Sequence, residues 1–374
     1  MELGRAGGVE QAAYELVSAI GGLDTRNAYG ILAPRSASWE WEFPACFDAR
    51  RIYSDAGEPL GESFHASVAR HGSASPDFAF DIVHSTCSYI HPELIDFPGV
   101  LTIHDLQHLR YPEFFGTAEW EDRERIYRRS AERAKHIICI SEFTRQDVHA
   151  RYGVPLERMT TIWNIPSRAV WEPVAPRIRR KLLAGMGVEA PFLFYPAQSW
   201  PHKNHERLLM AFERAAAAMP HDVKLVLTGR PFDPEHRSAE LLRQPRLASR
   251  VLHLGFRSPL EIRALFHECE ALVFPSLFEG FGMPVAEAII AAKPVACSNV
   301  TSLPEIAADA AVLFDPTDVE QMADRMLQVA TQPELRASLS AAARRRRHLF
   351  SARLSAVKTL AVYGQVYHGL RSAP

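Results

Sequence analysis

The chain is poor in the features that mark secreted or membrane-spanning proteins. No uninterrupted apolar run approaches the ~18 residues that a spanning helix needs. The opening stretch from Met1 to Gly8 lacks the apolar core of a signal peptide. Cysteine is sparse: 5 in 374 residues, at positions 46, 87, 139, 269 and 297, an odd number with no pair at CxxC spacing. This argues against a disulfide scaffold and for reduced thiols in a cytoplasmic protein. Cys139, inside the run Ile137–Ile140, reads as a small buried hydrophobe. An excess of positive charge is also missing. Lys plus Arg number 42 against 44 Asp plus Glu, a net charge of −2, so the footprint of a nucleic-acid binder is absent. The motifs GxGxxG, GxxxxGK[ST] and GxSxG do not occur, which argues against dinucleotide dehydrogenases, P-loop NTPases and nucleophile-elbow hydrolases. His104, His202 and His205 have neither an HExxH pattern nor a clear carboxylate cluster, so no metal is expected.

What is present is ordinary globular chemistry: 47% hydrophobic and 23% charged residues, which excludes disorder as the main state. The length, about 2.5 times a typical ~150-residue domain, allows one large domain or two medium ones. In the second half, short apolar runs recur at 192–195, 223–227, 251–254, 271–274, 294–296 and 311–314. They read as strands buried on both faces. Helical stretches are expected between them, at 205–218, 260–267, 285–292 and 319–330. Ser258-Pro259 and Asp318 provide start signals. Such alternation implies a doubly wound α/β domain.

The first half repeats this less cleanly. Strands are expected at 81–84, 100–103, 136–140 and 159–163, and helices at 8–20 and 117–134. The segment 34–80 has no assignable periodicity. Pro166, Pro173 and Pro176 mark a linker between domains. The chain opens on a glycine loop and a helix with no strand before them. Because this architecture normally places a strand there, the expectation is either that the natural protein begins further upstream or that this chain lacks its first strand.

In open α/β sheets, ligands bind beyond the carboxyl ends of the strands. The residues there are His104-Asp105, Pro196–His205, Thr228-Gly229-Arg230 and Pro275–Glu287. The last is the most informative. Gly280 and Gly282 allow close backbone approach to a ligand, and Pro284 suits a first helical turn. The amides of Phe281, Gly282 and Met283 would then point out of the helix start, towards an anion or a sugar hydroxyl. Glu287, one turn in, can accept two hydrogen bonds from a ribose diol. Against this, Glu279 and Glu287 could simply favour a helix N-terminus. Lys203 is a fitting diphosphate partner or a solvated surface lysine. His104-Asp105 is a catalytic pair or a turn cap.

The stretch Phe274–Ala288, with Glu279 and Glu287 at E-x7-E spacing, resembles the family 4 retaining glycosyltransferases. The likeness extends to His253–Phe256, Ser302–Ile306, Asp309–Pro316, Thr102–Leu106, Ser141–Arg145 and the closing Val362–Tyr367. Tyr195–His205 is similar to a subgroup that includes mannosyltransferases of surface-polysaccharide assembly. The resemblance implies an α/β GT-B fold, two Rossmann-like doubly wound domains facing a cleft that closes to exclude water. The expected division is residues 1–165, residues 166–345 for the nucleotide sugar, and a helix in 346–374 crossing back to the first domain.

By that resemblance Glu287 binds the donor ribose. Glu279, with the amides of Phe281, Gly282 and Met283, holds the donor sugar. Lys203 neutralises the leaving diphosphate, His104 lies near the reacting sugar, and Gly8 with Gly7 approaches the phosphates. Gln198 stands where many relatives carry an arginine, so Arg230 or His202 is expected to compensate. The function implied is retaining, metal-independent transfer of a hexose from a nucleotide diphosphate sugar to a glycan or lipid-linked acceptor. Mannose, and thus GDP-mannose, leads, with no cofactor beyond that co-substrate and no nucleic-acid partner. Arg344–Arg347 reads as a solvated helix face or as a contact to anionic lipid, so the place expected is the cytoplasm or the inner face of the cell membrane. The rival readings are a non-catalytic sugar-nucleotide-binding subunit and a soluble sucrose-, trehalose- or glycogen-type transferase.

Overall fold

The computed structural model describes residues 8–27, 29–32, 47–52, 81–91, 94–189, 191–220 and 222–372. The chain divides into two compact units: Met1–Pro166 with Ser351–Pro374, and Ser167–Phe350. The first crossing falls inside the proline-marked stretch. Residues 346–350, which the sequence pattern groups with the closing helix, lie with the second unit, where the Phe350 ring packs edge-on to Phe281.

The first unit has a parallel strand pair, β1 (Tyr29–Leu32) and β2 (Phe47–Ile52). Strand β2 is a piece of the segment that shows no periodicity in the sequence. Most of that segment, and Gly7, lie outside the described residues. A four-stranded parallel sheet follows in the order β3 (Val83–Ser85), β4 (Gly99–Ile103), β5 (His136–Cys139) and β6 (Met159–Thr161). Successive strand residues face opposite sides. Leu101, Ile103, Ile137 and Cys139 share a core with Leu106, Ala131 and Val148. Val100 and Ile138 pack instead with Val362 and Val366 of the closing helix Ala352–Arg371. Gly8 is the exposed first residue of the helix Gly8–Gly21. The described cysteines, at 87, 139, 269 and 297, are free, and burial raises each thiol above its ordinary value.

The second unit is one all-parallel sheet of β7 (Phe192–Pro196), β8 (Lys224–Thr228), β9 (Val251–His253), β10 (Ala271–Phe274), β11 (Val295–Ser298) and β12 (Ala311–Phe314). Their spatial order is β12-β11-β10-β7-β8-β9. The runs are apolar throughout because helices cover both faces. Phe192, Leu193, Phe194 and Tyr195 are all fully buried. Helix His205–Ala216 buries Leu208, Leu209, Phe212 and Ala215, one stripe at helical spacing. Phe194 meets Phe266 edge-on at 5.1 Å between ring centroids. Truncating such a ring to alanine costs about 3–5 kcal/mol. Ser258 and Glu261 close a capping box around Pro259, and Asp318 accepts from the Gln321 amide, as the start signals predict.

In the arginine run, Arg344, Arg345 and Arg347 are exposed, as a solvated helix face requires, and Arg346 departs from that pattern. Arg346 is half-buried and donates to the Ile306 and Glu305 carbonyls, capping the helix Leu303–Ala307, while Arg345 pairs with Asp309 at 3.1 Å. Among the described residues, no helix is long and apolar enough to cross a membrane.

Candidate functional site

The strand order of the second unit reverses between β7 and β10, so the loops after these two strands flank the switch point at the carboxyl edge. Lys203 sits on the first loop and Glu279 on the second. Across the gap, Lys203 Nζ meets Glu279 Oε1 at 2.5 Å, and both side chains are 12% exposed. The ammonium also lies 5.6 Å from the centre of the Phe274 ring. In such surroundings a charge pair is stronger than in water, and its groups lose little freedom on meeting a ligand.

Each loop is pinned. Pro201–Lys203 forms a 3-10 turn, and the Tyr195 hydroxyl donates to the Lys203 carbonyl at 2.6 Å. Asn204 takes a left-handed conformation (φ 59) at the start of helix His205–Ala216. Its buried Nδ2 donates to the Pro275 carbonyl at 3.0 Å and the Pro316 carbonyl at 2.8 Å. The Leu277 amide donates to the His202 carbonyl at 2.8 Å. Three loops are thereby tied to one another through Asn204. Asparagine tolerates the left-handed region, so the signal was present in the sequence at Asn204, but its partners are distant and could not be read there.

Gly282 stands at φ 91 before helix Met283–Ile290, with Pro284 in its first turn. A Cβ on Gly282 would lie 2.5 Å from Leu303 Cδ2, so only glycine fits. Among the described residues, no protein acceptor meets the amides of Gly282 and Met283. The Phe281 side chain is buried against Phe350. Glu287, on the same helix, is half-buried, and no described side chain or amide pairs with its carboxylate. Burial pushes that carboxyl up to about 7. A desolvated carboxylate without a partner is costly in an empty fold and is suited to receive a ligand's hydroxyls.

The arginine replacement works differently from the expectation. Gln198 Oε1 accepts from the Arg230 backbone amide at 3.1 Å, fixing the β8 loop beside the β7 loop. Gly229 permits that approach: it stands at φ 123, and a Cβ there would overlap the Ala197 carbonyl oxygen. The Arg230 side chain is exposed. His202 cannot supply the missing charge. Burial, aided by Lys203, lowers its value to about 3, so the ring is neutral at pH 7.

In the first unit, His104 directly follows β4. Its amide donates to Ser88 Oγ at 2.9 Å, and Nε2 lies 2.7 Å from the Thr86 carbonyl. A carbonyl only accepts, so Nε2 carries the proton and Nδ1 is a bare acceptor. Burial lowers the value of this imidazole and keeps it neutral. Asp105 is not its partner. It caps the next turn by accepting from the Gln107 amide at 2.9 Å. Among the described residues, no three His, Cys, Asp or Glu side chains gather as metal ligands would.

Comparison with known proteins identifies what the two units resemble. The family "Glycosyltransferase Family 4" matches residues 6–165, and "Glycosyl transferases group 1" matches residues 184–346. HepE of Anabaena, solved with UDP and glucose, superposes with a TM-score of 0.69 at 18% identity, over 97% of this chain and 98% of that one. The fold is therefore GT-B. O-antigen chain mannosyltransferase B of Escherichia coli is 28% identical over 235 residues, 62% of this chain and 60% of that protein. The serotype-specific mannosyltransferase WbdA of Escherichia coli is 32% identical over 200 residues, 51% of this chain and 24% of WbdA. The matches thus span three-fifths or less of these two relatives. The two family models together span both units, and the chain is similar to family 4 glycosyltransferases over each of them.

Proposed function

We propose that the protein transfers a hexose, with mannose the leading candidate, from a nucleotide diphosphate sugar to a glycan or lipid-linked sugar, with retention at the anomeric carbon and without a metal. The observation that carries this reading is the Lys203–Glu279 pair bridging the switch point, with Glu287, unpartnered among the described residues, one turn into the helix beyond. Glu287 accepts the ribose hydroxyls. Lys203 and the amides of Gly282 and Met283 take up the charge that develops on the leaving diphosphate. Glu279, already bonded to Lys203, orients the donor sugar rather than attacking it. The bond from C1 to the diphosphate oxygen breaks, and the acceptor oxygen bonds to C1 on the same face. A departing phosphate oxygen receives the acceptor proton. His104, neutral with Nδ1 bare, accepts a hydroxyl hydrogen bond from the reacting sugar. The same reading assigns Gly8 to the phosphates. GDP-mannose is the favoured donor, because the two curated relatives described above are named mannosyltransferases. The protein acts in the cytoplasm, against the inner face of the membrane when its acceptor is lipid-linked.

The test is thermal stability with GDP-mannose, UDP-glucose and the ADP and dTDP sugars, followed by NMR of the product anomer. A donor at 100 times its Kd adds ~2.7 kcal/mol if it binds only the folded state. A shift with one nucleotide that disappears in Glu287→Ala supports the reading. A folded protein that no nucleotide sugar stabilises overturns it.

A further inference from the structure

The loop that carries Glu279 is held from the side by three consecutive residues after β11, two in the loop and the first of helix Leu303–Ala307. The Glu279 amide donates to Thr301 Oγ1 at 3.1 Å. Ser302 Oγ, on a fully buried residue, donates to the Glu279 carbonyl at 3.0 Å. Leu303 packs against Gly282, leaving no room for a Cβ there.

Thr301 itself stands at φ 55, in the left-handed region. A β-branched residue enters that region only against steric cost, whereas glycine does so freely. Strain of this kind persists where the surroundings hold it, and it clusters at functional sites. Glycine would remove the strain and also the hydroxyl. The hydroxyl is what meets the backbone of the residue whose carboxylate is bonded to Lys203.

We propose that Thr301 and Ser302 are positioning residues, two adjacent hydroxyls that grip both backbone polar groups of Glu279. They thereby set where its carboxylate, and the Lys203 ammonium bonded to it, meets the donor sugar. The proposal rests on the donor-sugar role given to Glu279 above. Its physical basis is that the amide and the carbonyl together fix the orientation of the backbone at Glu279, and hence the direction of its side chain. Displacement of a positioning group by about 1 Å can lower a rate by about 100-fold.

Amide hydrogen exchange at Glu279 in the full chain tests the clamp directly. Thr301→Val keeps the branched shape and removes the acceptor. Thr301→Gly removes both acceptor and strain, and Thr301→Ser keeps the acceptor. Exchange at Glu279 is expected to be at least about tenfold faster in the Val and Gly variants and unchanged in the Ser variant. Equal protection in all of them overturns the clamp.

The consequence is read by calorimetry as an affinity ratio, GDP-mannose over GDP and UDP-glucose over UDP. The ratio of the donor that binds is expected to fall about tenfold in Thr301→Val and Thr301→Gly, with the nucleotide alone unaffected. Thr301→Ser restores it. Thr301→Gly is expected to melt no lower than Thr301→Val, because it loses the same hydrogen bond but releases the strain. A role in stability alone would not give a lower sugar ratio in the more stable of the two variants. A ratio that stays at the wild-type value in Thr301→Gly while Glu279→Gln loses it overturns the positioning role. If Glu279→Gln leaves the ratio unmoved, the donor-sugar role of Glu279 fails and the positioning role with it. The exchange data then support or overturn the clamp by themselves.

Discussion

The two units treat the carboxyl ends of their strands differently. In the second, polar side chains meet across strands: Lys203 beyond β7 pairs with Glu279 beyond β10, and Asn204 reaches the Pro275 and Pro316 carbonyls. In the first, His104 beyond β4 is held by uncharged groups: Ser88 and Thr86 of the adjoining loop, and Thr144 Oγ1 beyond β5, which donates to the His104 carbonyl at 3.4 Å. The second unit thus carries a preassembled, charged constellation, which suits the phosphate-bearing donor proposed above. The first holds one neutral ring with a free acceptor, a hydrogen-bonding role that needs no charge. A preassembled charged site avoids reorganisation when charge develops, which is where electrostatic catalysis is strongest.

The largest expected effect comes from breaking the charged side of that contrast. Lys203→Ala should lower sugar transfer by about 100- to 1,000-fold, the scale for losing one stabiliser of developing negative charge. Steady-state kinetics with the identified donor checks it, and a loss below tenfold would remove Lys203 from the leaving group. Next is the neutral side. His104→Ala should lower kcat by about 100-fold while leaving nucleotide affinity unchanged, a split that calorimetry beside kinetics resolves. A matching fall in nucleotide affinity would move His104 from the sugar to the nucleotide.

Asn204→Ala should destabilise the second unit by about 2–3 kcal/mol, because the Pro275 and Pro316 carbonyls lose their donor. Calorimetric melting should show this as a drop of roughly 4–12 °C in that unit's transition only. A shift of both transitions would contradict the locality of the tie.

The smallest effect sharpens the comparison by pH. Burial raises the Glu287 carboxyl from 4.5 to about 7. The folded unit therefore holds this proton more tightly than the unfolded chain does. The stability that follows is fully present below pH 4.5 and is lost as pH rises through about 7. Melting of the ligand-free protein should fall across that window, and Glu287→Gln should flatten the fall. Nucleotide affinity should rise a few-fold between about pH 6 and pH 8 as the carboxylate forms, and the same variant should abolish the rise.

The elements of the second unit were legible because its strands are short apolar runs and its helices open on caps such as Ser258 and Asp318. The helix of Glu287 starts at Met283, two residues before the apolar pattern begins, because Gly282 turns the chain and Pro284 sits in the first turn. In the first unit, helix Glu142–Tyr152 escaped notice. Its apolar residues are few, and much of its cohesion is polar, with Ser141 capping the Thr144 amide and Asp147 pairing with Arg110 and Arg151. Within the otherwise exposed arginine run, Arg346 departs from the sequence pattern for a related reason. Charge in a sequence suggests solvent, yet Arg346 spends its donors on carbonyls about 40 residues away in the chain.

The sequence by itself determined the alternation of strands and helices, the spacing of Glu279 and Glu287, and the placing of Lys203 and His104 just past strand ends. All of these are local, set by periodicity and turn chemistry within a few residues. Only the tertiary structure decided that β7 lies beside β10, and so that Lys203 meets Glu279 from 76 residues away. It also decided that Glu287 meets no partner among the described residues, that Gln198 holds a backbone amide, and that Thr301 bears strain against Glu279. The physical reason is that strand order follows from how crossover helices pack on both faces of a sheet. The contacts made at the switch point between β7 and β10 therefore exist only once the whole sheet has formed.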